Sequence, residues 1–183
     1  MEQTPAILLR KMPWSETSLI LVWLTERFGT MRTVARGARR PRSSFAGMLD
    51  VFYFADISFT LSRKGDLHTL REVSLRSVFD VSAAGNAGFY VAAYFAELAG
   101  IAAPPMHPAP QIFDLLQRGI HFVQRAPVSI RAVTHFEAEL CHVLGVHDAA
   151  GKVRPIDALA SLYGTIPGSR QLALKFFARN SEE

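Results

Sequence analysis

The chain has 183 residues, 49% hydrophobic and 20% charged, enough apolar side chain for one packed domain or two small ones. No apolar run approaches the roughly 20 residues that span a bilayer, the N-terminal Met-Glu-Gln-Thr-Pro lacks the basic and apolar regions of a signal peptide, and the single cysteine, Cys141, excludes an internal disulfide, so the expectation is a cytoplasmic protein with no membrane partner. Residues 1–80 carry 12 Lys+Arg against 8 Asp+Glu and residues 81–183 carry eight of each, which places the whole formal charge of +4 in the first part.

The first 80 residues read as strands. Residues 6–11 are the first, and residues 18–25, rich in Leu, Ile, Val and Trp, the second. Arg27-Phe-Gly-Thr30 turns the chain into a third strand over 31–35. Residues 51–62 alternate: Val51, Tyr53, Ala55, Ile57, Phe59 and Leu61 share one face, Phe52, Phe54, Asp56, Ser58, Thr60 and Ser62 the other. That period of two predicts a long strand with one buried side. Arg63-Lys-Gly-Asp66 returns it into a fifth strand over 67–75. A small closed barrel is the natural outcome, because closure hides the sheet edges.

From residue 81 the period becomes helical. Asn86 is placed to cap a helix running to about Gly100, with Phe89, Ala93 and Leu98 apolar. Residues 102–110 contain four prolines and read as a semi-rigid connector. Pro110 opens a helix that buries Phe113, Leu116, Ile120 and Val123. Ser129 caps the next, with Ile130, Val133, Phe136, Leu140 and Leu144 inward and Gly145 as its stop. Two shorter helices, over 155–163 and 169–179, complete an α+β chain: a five-stranded barrel over 1–80 and an all-helical domain over 81–183.

Residues 34–43 (VARGARRPRS) are the most informative stretch. From Arg27 to Arg42 there are six arginines and no carboxylate, and Gly37 and Pro41 break any strand or helix. A loop this rich in guanidinium suits a polyanion, since arginine presents a planar fork of donors to phosphate oxygens. Arg36, Arg39, Arg40 and Arg42 are the first candidates for DNA phosphates. Arg32, on the strand face of Val34 and Arg36, and Arg10 and Lys11 are secondary ones. Among the rings of the barrel region (Trp14, Trp23, Phe28, Phe45, Phe52, Phe54) most must fill the interior. Phe45, directly after the arginine loop, is the one expected to stack on a base.

No catalytic signature accompanies this surface. There is no phosphate-binding glycine loop, nucleophile elbow or zinc-protease motif, and the carboxylates are scattered singly. Glu16 is assigned a structural role in its turn. Cys141 and His142 point about 100° apart on a helix, and His135 is two turns from His142, so no metal site and no cofactor are expected and Cys141 reads as a small buried hydrophobe.

Several separated segments, in order, resemble the RecO family of bacterial recombination mediators. They are Glu16-Thr-Ser18, Thr25-Glu-Arg-Phe-Gly29, the 34–40 stretch with Ser43, Leu49-Asp-Val-Phe52 and Gly65-Asp-Leu-His-Thr-Leu-Arg-Glu72. Downstream come Tyr94-Phe-Ala-Glu-Leu98 and Pro110-Gln-Ile-Phe-Asp-Leu-Leu116. The resemblance implies an N-terminal oligonucleotide-binding (OB-fold) barrel followed by a helical domain. It also implies binding of single- and double-stranded DNA, ATP-independent strand annealing, and cooperation with RecR. It further implies contact with the C-terminal tail of single-stranded DNA-binding protein while helping to load recombinase onto DNA coated by it. Many RecO proteins carry four zinc-binding cysteines after the helix resembling residues 136–145; here residues 146–154 contain none, and the chain is shorter than is usual for the family. The competing expectation is a non-catalytic adaptor with weak or no DNA binding. Its helical half would take an acidic peptide in an apolar pocket rimmed by some of Arg118, Arg125, Arg131, Arg170, Lys175 and Arg179.

Overall fold

The computed structural model describes residues 1–179, with only the backbone of Ala178 and Arg179; the side chain of Arg179, a candidate rim cation, lies outside the described residues. The order is β1 (Glu2–Pro13), β2 (Leu19–Thr25), β3 (Gly29–Ala35), β4 (Phe54–Thr60), β5 (Leu67–Ser77), then α1 (Val81–Ala102), α2 (Pro110–Val123), α3 (Ile130–Val143), α4 (Pro155–Tyr163) and α5 (Ser169–Arg179). Two compact units result, Met1–Phe79 with Ala103–Phe113, and Asp80–Ala102 with the described residues from Asp114 onward.

The first unit is a closed barrel of order β1-β2-β3-β5-β4, an OB-type topology. Antiparallel pairing joins β1 to β2, β2 to β3 and β4 to β5. Parallel pairing of Arg32–Val34 with Leu67–Thr69 and antiparallel pairing of β1 with β4 close the ring. Closure leaves no unpaired edge for a foreign strand to copy. Ala6, Leu8, Leu21, Trp23, Met31, Ile57, Phe59 and Leu70 fill the interior. Trp23 is 1% exposed, and its Nε1–H donates to Thr33 Oγ1 at 2.9 Å, so the one polar atom of the indole is satisfied inside the core.

The long strand is shorter than its alternation predicts. It begins at Phe54, because Phe52 has φ 66°, a left-handed conformation that costs a non-glycine residue about 1–2 kcal/mol and interrupts the pleat. Burial offsets that cost: Phe52 is enclosed against Phe79 at a centroid distance of 5.1 Å, and its N–H reaches Leu8 O at 2.7 Å. From Ala55 to Phe59 the predicted inward face is the buried one.

The proline-rich connector is fastened to the barrel. Met106 N–H donates to Thr30 O, Ala109 N–H to Glu26 O and Thr30 Oγ1 to Ala103 O, at 3.1–3.2 Å. Gly29 permits this approach: a Cβ there would overlap the Pro104 carbonyl, and its φ of +54° disfavours any side chain. Phe113, which the helical pattern assigns to the other core, tilts over Phe54 at 5.8 Å.

In the second unit Asp80 caps the first turn of α1, its Oδ1 accepting the N–H groups of Ser82 and Ala83 at 2.8 and 3.3 Å. Gly85 (φ 64°) then kinks the helix, and the long stretch begins at Asn86 as the pattern predicts. Phe95 and Phe136 stack at 3.9 Å, a pairing possible because Gly119 of α2 presents no Cβ to either ring. On α3, Val133, Phe136 and Leu140 are buried, whereas Ile130 is exposed and Ser129 makes no side-chain cap bond. Glu137 is the departure from the apolar pattern. It is 1% exposed and accepts hydrogen bonds from Tyr94 Oη at 2.8 Å and Arg170 Nε at 2.7 Å.

Candidate nucleic-acid interface

The β3–β4 loop, residues 36–53, descends through successive tight turns. N–H groups of Ala38, Arg40, Ser43, Ala46 and Met48 each bond the carbonyl three residues earlier, and Gly37 and Gly47 take left-handed φ of 72°. Phe45 anchors it. This ring is 8% exposed and belongs to the barrel core, which corrects its expected role: a ring buried to that extent has no free face for a base.

The upper part of this loop is stapled to the β1–β2 turn. Arg39 N–H donates to Thr17 O at 3.0 Å, Arg39 Nη1 to Ser15 O at 2.9 Å, and Gly37 N–H to Ser18 Oγ at 3.4 Å. Within that turn Trp14 N–H and Ser15 N–H both reach Ser18 O. Two segments that sequence separates by some twenty positions thus form one cradle. Its cleft, of about 690 Å³, is lined by Trp14, Ser15, Thr17, Ser18, Val34, Arg36, Gly37 and Arg40, with Ser62, Leu67 and Thr69 opposite. Two guanidiniums, five hydroxyls and an indole line it, and no carboxylate does.

The predicted cations divide into two groups. Arg10, Arg36, Arg40 and Arg42 are exposed and have no carboxylate partner among the described residues. Arg32 pairs with Asp66 at 2.9 Å and Lys11 with Asp50 at 2.8 Å, while Arg39 is committed to the Ser15 carbonyl. Exposed pairs of this kind contribute about 0–1 kcal/mol each, so they restrain these side chains without removing them from reach of a phosphate. Sequence reasoning names Trp14 among the rings without singling it out, although it is 60% exposed and lines the cleft, and reads Arg63 and Lys64 only as a turn. Both cations are exposed on the segment that supplies Ser62.

That segment is fixed from below by His68. Ser62 N–H donates to His68 Nδ1 at 3.1 Å, which assigns the ring proton to Nε2, 3.2 Å from Met106 Sδ. Burial holds the His68 pKa below its ordinary 6.5, with Asp66 opposing. The ring is therefore neutral at physiological pH and serves as an internal acceptor.

The helical unit offers fewer free cations than expected. Arg118 is paired with Asp114 at 2.8 Å and Arg170 is bound to buried Glu137, leaving Arg125, Arg131 and Lys175 exposed and without a carboxylate partner among the described residues. Burial first, then the Glu137 carboxylate, push the Tyr94 hydroxyl well above its usual range, so it stays protonated and donates. No group of three or more His, Cys, Asp or Glu among the described residues is arranged to hold a metal ion, and no described helix is long and apolar enough to cross a membrane.

Comparison with known proteins matches the barrel to a family. The family described as Recombination protein O N terminal covers residues 1–79. Relatives named DNA repair protein RecO extend the match into the helices. That of Chromobacterium violaceum is 30% identical over 161 residues, 87% of this chain and 64% of its own length. That of Salinibacter ruber is 28% identical over 153 residues, 83% of this chain and 59% of its own. That of Rhodopirellula baltica is 29% identical over 141 residues, 76% of this chain and 52% of its own. The chain thus spans between half and two thirds of the length of these relatives. With the family model spanning the residues of the barrel strands and the similarity to RecO proteins extending over most of the chain, the chain belongs to the RecO family.

Proposed function

We propose that this protein is a non-catalytic DNA-binding mediator of repair and recombination, acting through the cleft between the β1–β2 turn and the arginine loop. The observation that carries the reading is the carboxylate-free cradle lined by both Arg36 and Arg40, with Arg42 exposed two residues further along the same loop. Such a surface takes backbone phosphates of single- or double-stranded DNA with little regard to sequence, because arginine contacts to phosphate carry no base code. Strand annealing follows: neutralising two backbones lets complementary strands approach, and base pairing supplies the free energy. RecR and the tail of single-stranded DNA-binding protein are the partners family membership points to, with recombinase loading as the outcome.

The adaptor reading is the weaker one. It relies on convergent free cations in the helical unit, and two of its six rim residues already neutralise carboxylates. Filter-binding titration of single-stranded DNA at two salt concentrations tests the choice. Micromolar or tighter binding that weakens steeply with salt is expected of the mediator; absence of binding at low salt would make the adaptor the better description.

A further inference from the structure

The two tryptophans of this chain are in opposite situations. Trp23 is enclosed and hydrogen-bonded; Trp14 is 60% exposed, with no aromatic or guanidinium partner among the described residues. Its backbone is nonetheless fixed, since it follows β1 directly and its N–H bonds Ser18 O at 3.0 Å. A single exposed apolar side chain is ordinary on a protein surface; what sets Trp14 apart is where it stands. It stands at the mouth of the cleft that holds Arg36, Arg40 and the hydroxyls of Ser15, Thr17 and Ser18. An indole face beside two guanidiniums matches one nucleotide unit: a flat base for the ring and phosphates for the forks.

We propose that Trp14 stacks on an unpaired base of single-stranded DNA while Arg36 and Arg40 take the flanking phosphates, which makes this cleft discriminate single strands from duplex. The inference rests on the DNA-binding reading above and adds the specificity residue. Phosphates are present in both forms of DNA, and more densely in duplex, so the arginines alone give no preference for single strands. A base face is available only when unpaired, because in duplex each base is covered by its neighbours. In annealing the consequence is directional. A strand enters held by stacking and by charge, and once paired it is held by charge alone, so the product leaves more readily than the substrate.

The test uses the full chain, an oligothymidylate and a mixed-sequence duplex of equal length. Because Trp23 is buried, the red edge of the tryptophan emission reports on Trp14. Oligothymidylate should quench it, and the duplex should leave it largely unchanged. Trp14→Ala should weaken single-strand binding about 5- to 150-fold, the range of one lost stacking contact, with duplex affinity within about twofold. Trp14→Phe, which keeps a ring, should recover most of the loss. Equal quenching by both DNAs, or a Trp14→Ala variant that changes single-strand and duplex affinity alike or neither, overturns the proposal. The arginine variant described below separates the two ideas. A flattened salt dependence there, with no Trp14 effect, removes the stacking alone; an unchanged one removes the DNA-binding reading as well.

Discussion

Replacing Arg36, Arg40 and Arg42 together by alanine isolates the charge of the cleft from its architecture. These three are exposed and lack carboxylate partners among the described residues, whereas Arg39 staples the loop to the Ser15 and Thr17 carbonyls and is better left in place. Each phosphate contact on a single strand releases about 0.7 counterion, so losing three should flatten the slope of log K against log salt by about two. For a fourfold rise in salt, wild-type affinity should therefore fall about 20-fold further than that of the variant. The loss should be the same for different base compositions, since the contacts are to the backbone. Stability should move by no more than about 0.5 kcal/mol in urea unfolding, as expected of exposed side chains without partners. Anisotropy titrations over a salt series give the slopes directly. A correctly folded variant with the wild-type slope would refute the assignment of this cleft. Arg39→Ala is the informative control: it should cost about 1 kcal/mol of stability by removing the Nη1 bond to Ser15 O, while the backbone bond to Thr17 O remains.

Three further outcomes follow from the packing and the titrating groups. Arg170→Ala leaves Glu137 buried without its cation and should destabilise the helical unit by about 3–5 kcal/mol in denaturant unfolding; a loss under about 1 kcal/mol would mean that Tyr94 alone satisfies the carboxylate. The folded-state pKa of His68 lies below 6.5, so the unfolded chain takes up its proton first. The associated stability is full above about pH 6.5 and declines as pH falls toward the folded value. His68→Gln should reduce this acid slope, and an unaltered slope would assign it to other histidines. Finally, with one cysteine in the chain, the melting temperature should be the same with and without chelator; one tightly held zinc whose removal lowers it would reveal a metal site.

The barrel was legible because its strands alternate: Ala55, Ile57 and Phe59 face inward as their period of two requires, and the helical residues Leu116, Val133, Phe136 and Leu140 are buried as their spacing of three and four requires. Where tertiary contacts decide conformation, the pattern misleads. Phe52 and Phe54 look like successive strand residues, yet the left-handed Phe52 belongs to the loop, held there by contacts that include the hydrogen bond to Leu8 and the cover of Phe79. The site divides in the same way. The density of arginines fixes the loop as basic, but nothing in residues 34–45 distinguishes the stapling Arg39 from Arg36 and Arg40, which face the cleft. Phe45 is buried and Trp14 exposed for one reason: adjacency to the arginine run says nothing about which ring the barrel interior can enclose. Glu137 was invisible because its partner Arg170 is 33 positions away in sequence.

The segment after α3 is ordered by backbone hydrogen bonds that converge on one carboxylate. Gly145, at φ 70°, ends the helix, and the Asp148 carboxylate then accepts backbone N–H groups from Ala150, Lys152 and Val153 at 2.7–2.9 Å. The bonds from Val153 and Ala150, foremost among these, hold its carboxyl below the usual carboxylate range. A metal crosslink gathers ligands from distant positions, whereas this arrangement satisfies donors within five residues of the acceptor. Order gained in that way is local and needs no thiolate. Cys141 contributes instead as a neutral donor, its Sγ lying 3.4 Å from the Pro155 carbonyl at the start of α4, and burial, with Glu137 adding, keeps the thiol above its ordinary pKa and therefore protonated. Arg154, just before that carbonyl, forks onto Asp157 at 2.7 and 2.9 Å in the first turn of α4. The Asp148 turn at one end and the Arg154–Asp157 fork at the other thus tie the loop between α3 and α4.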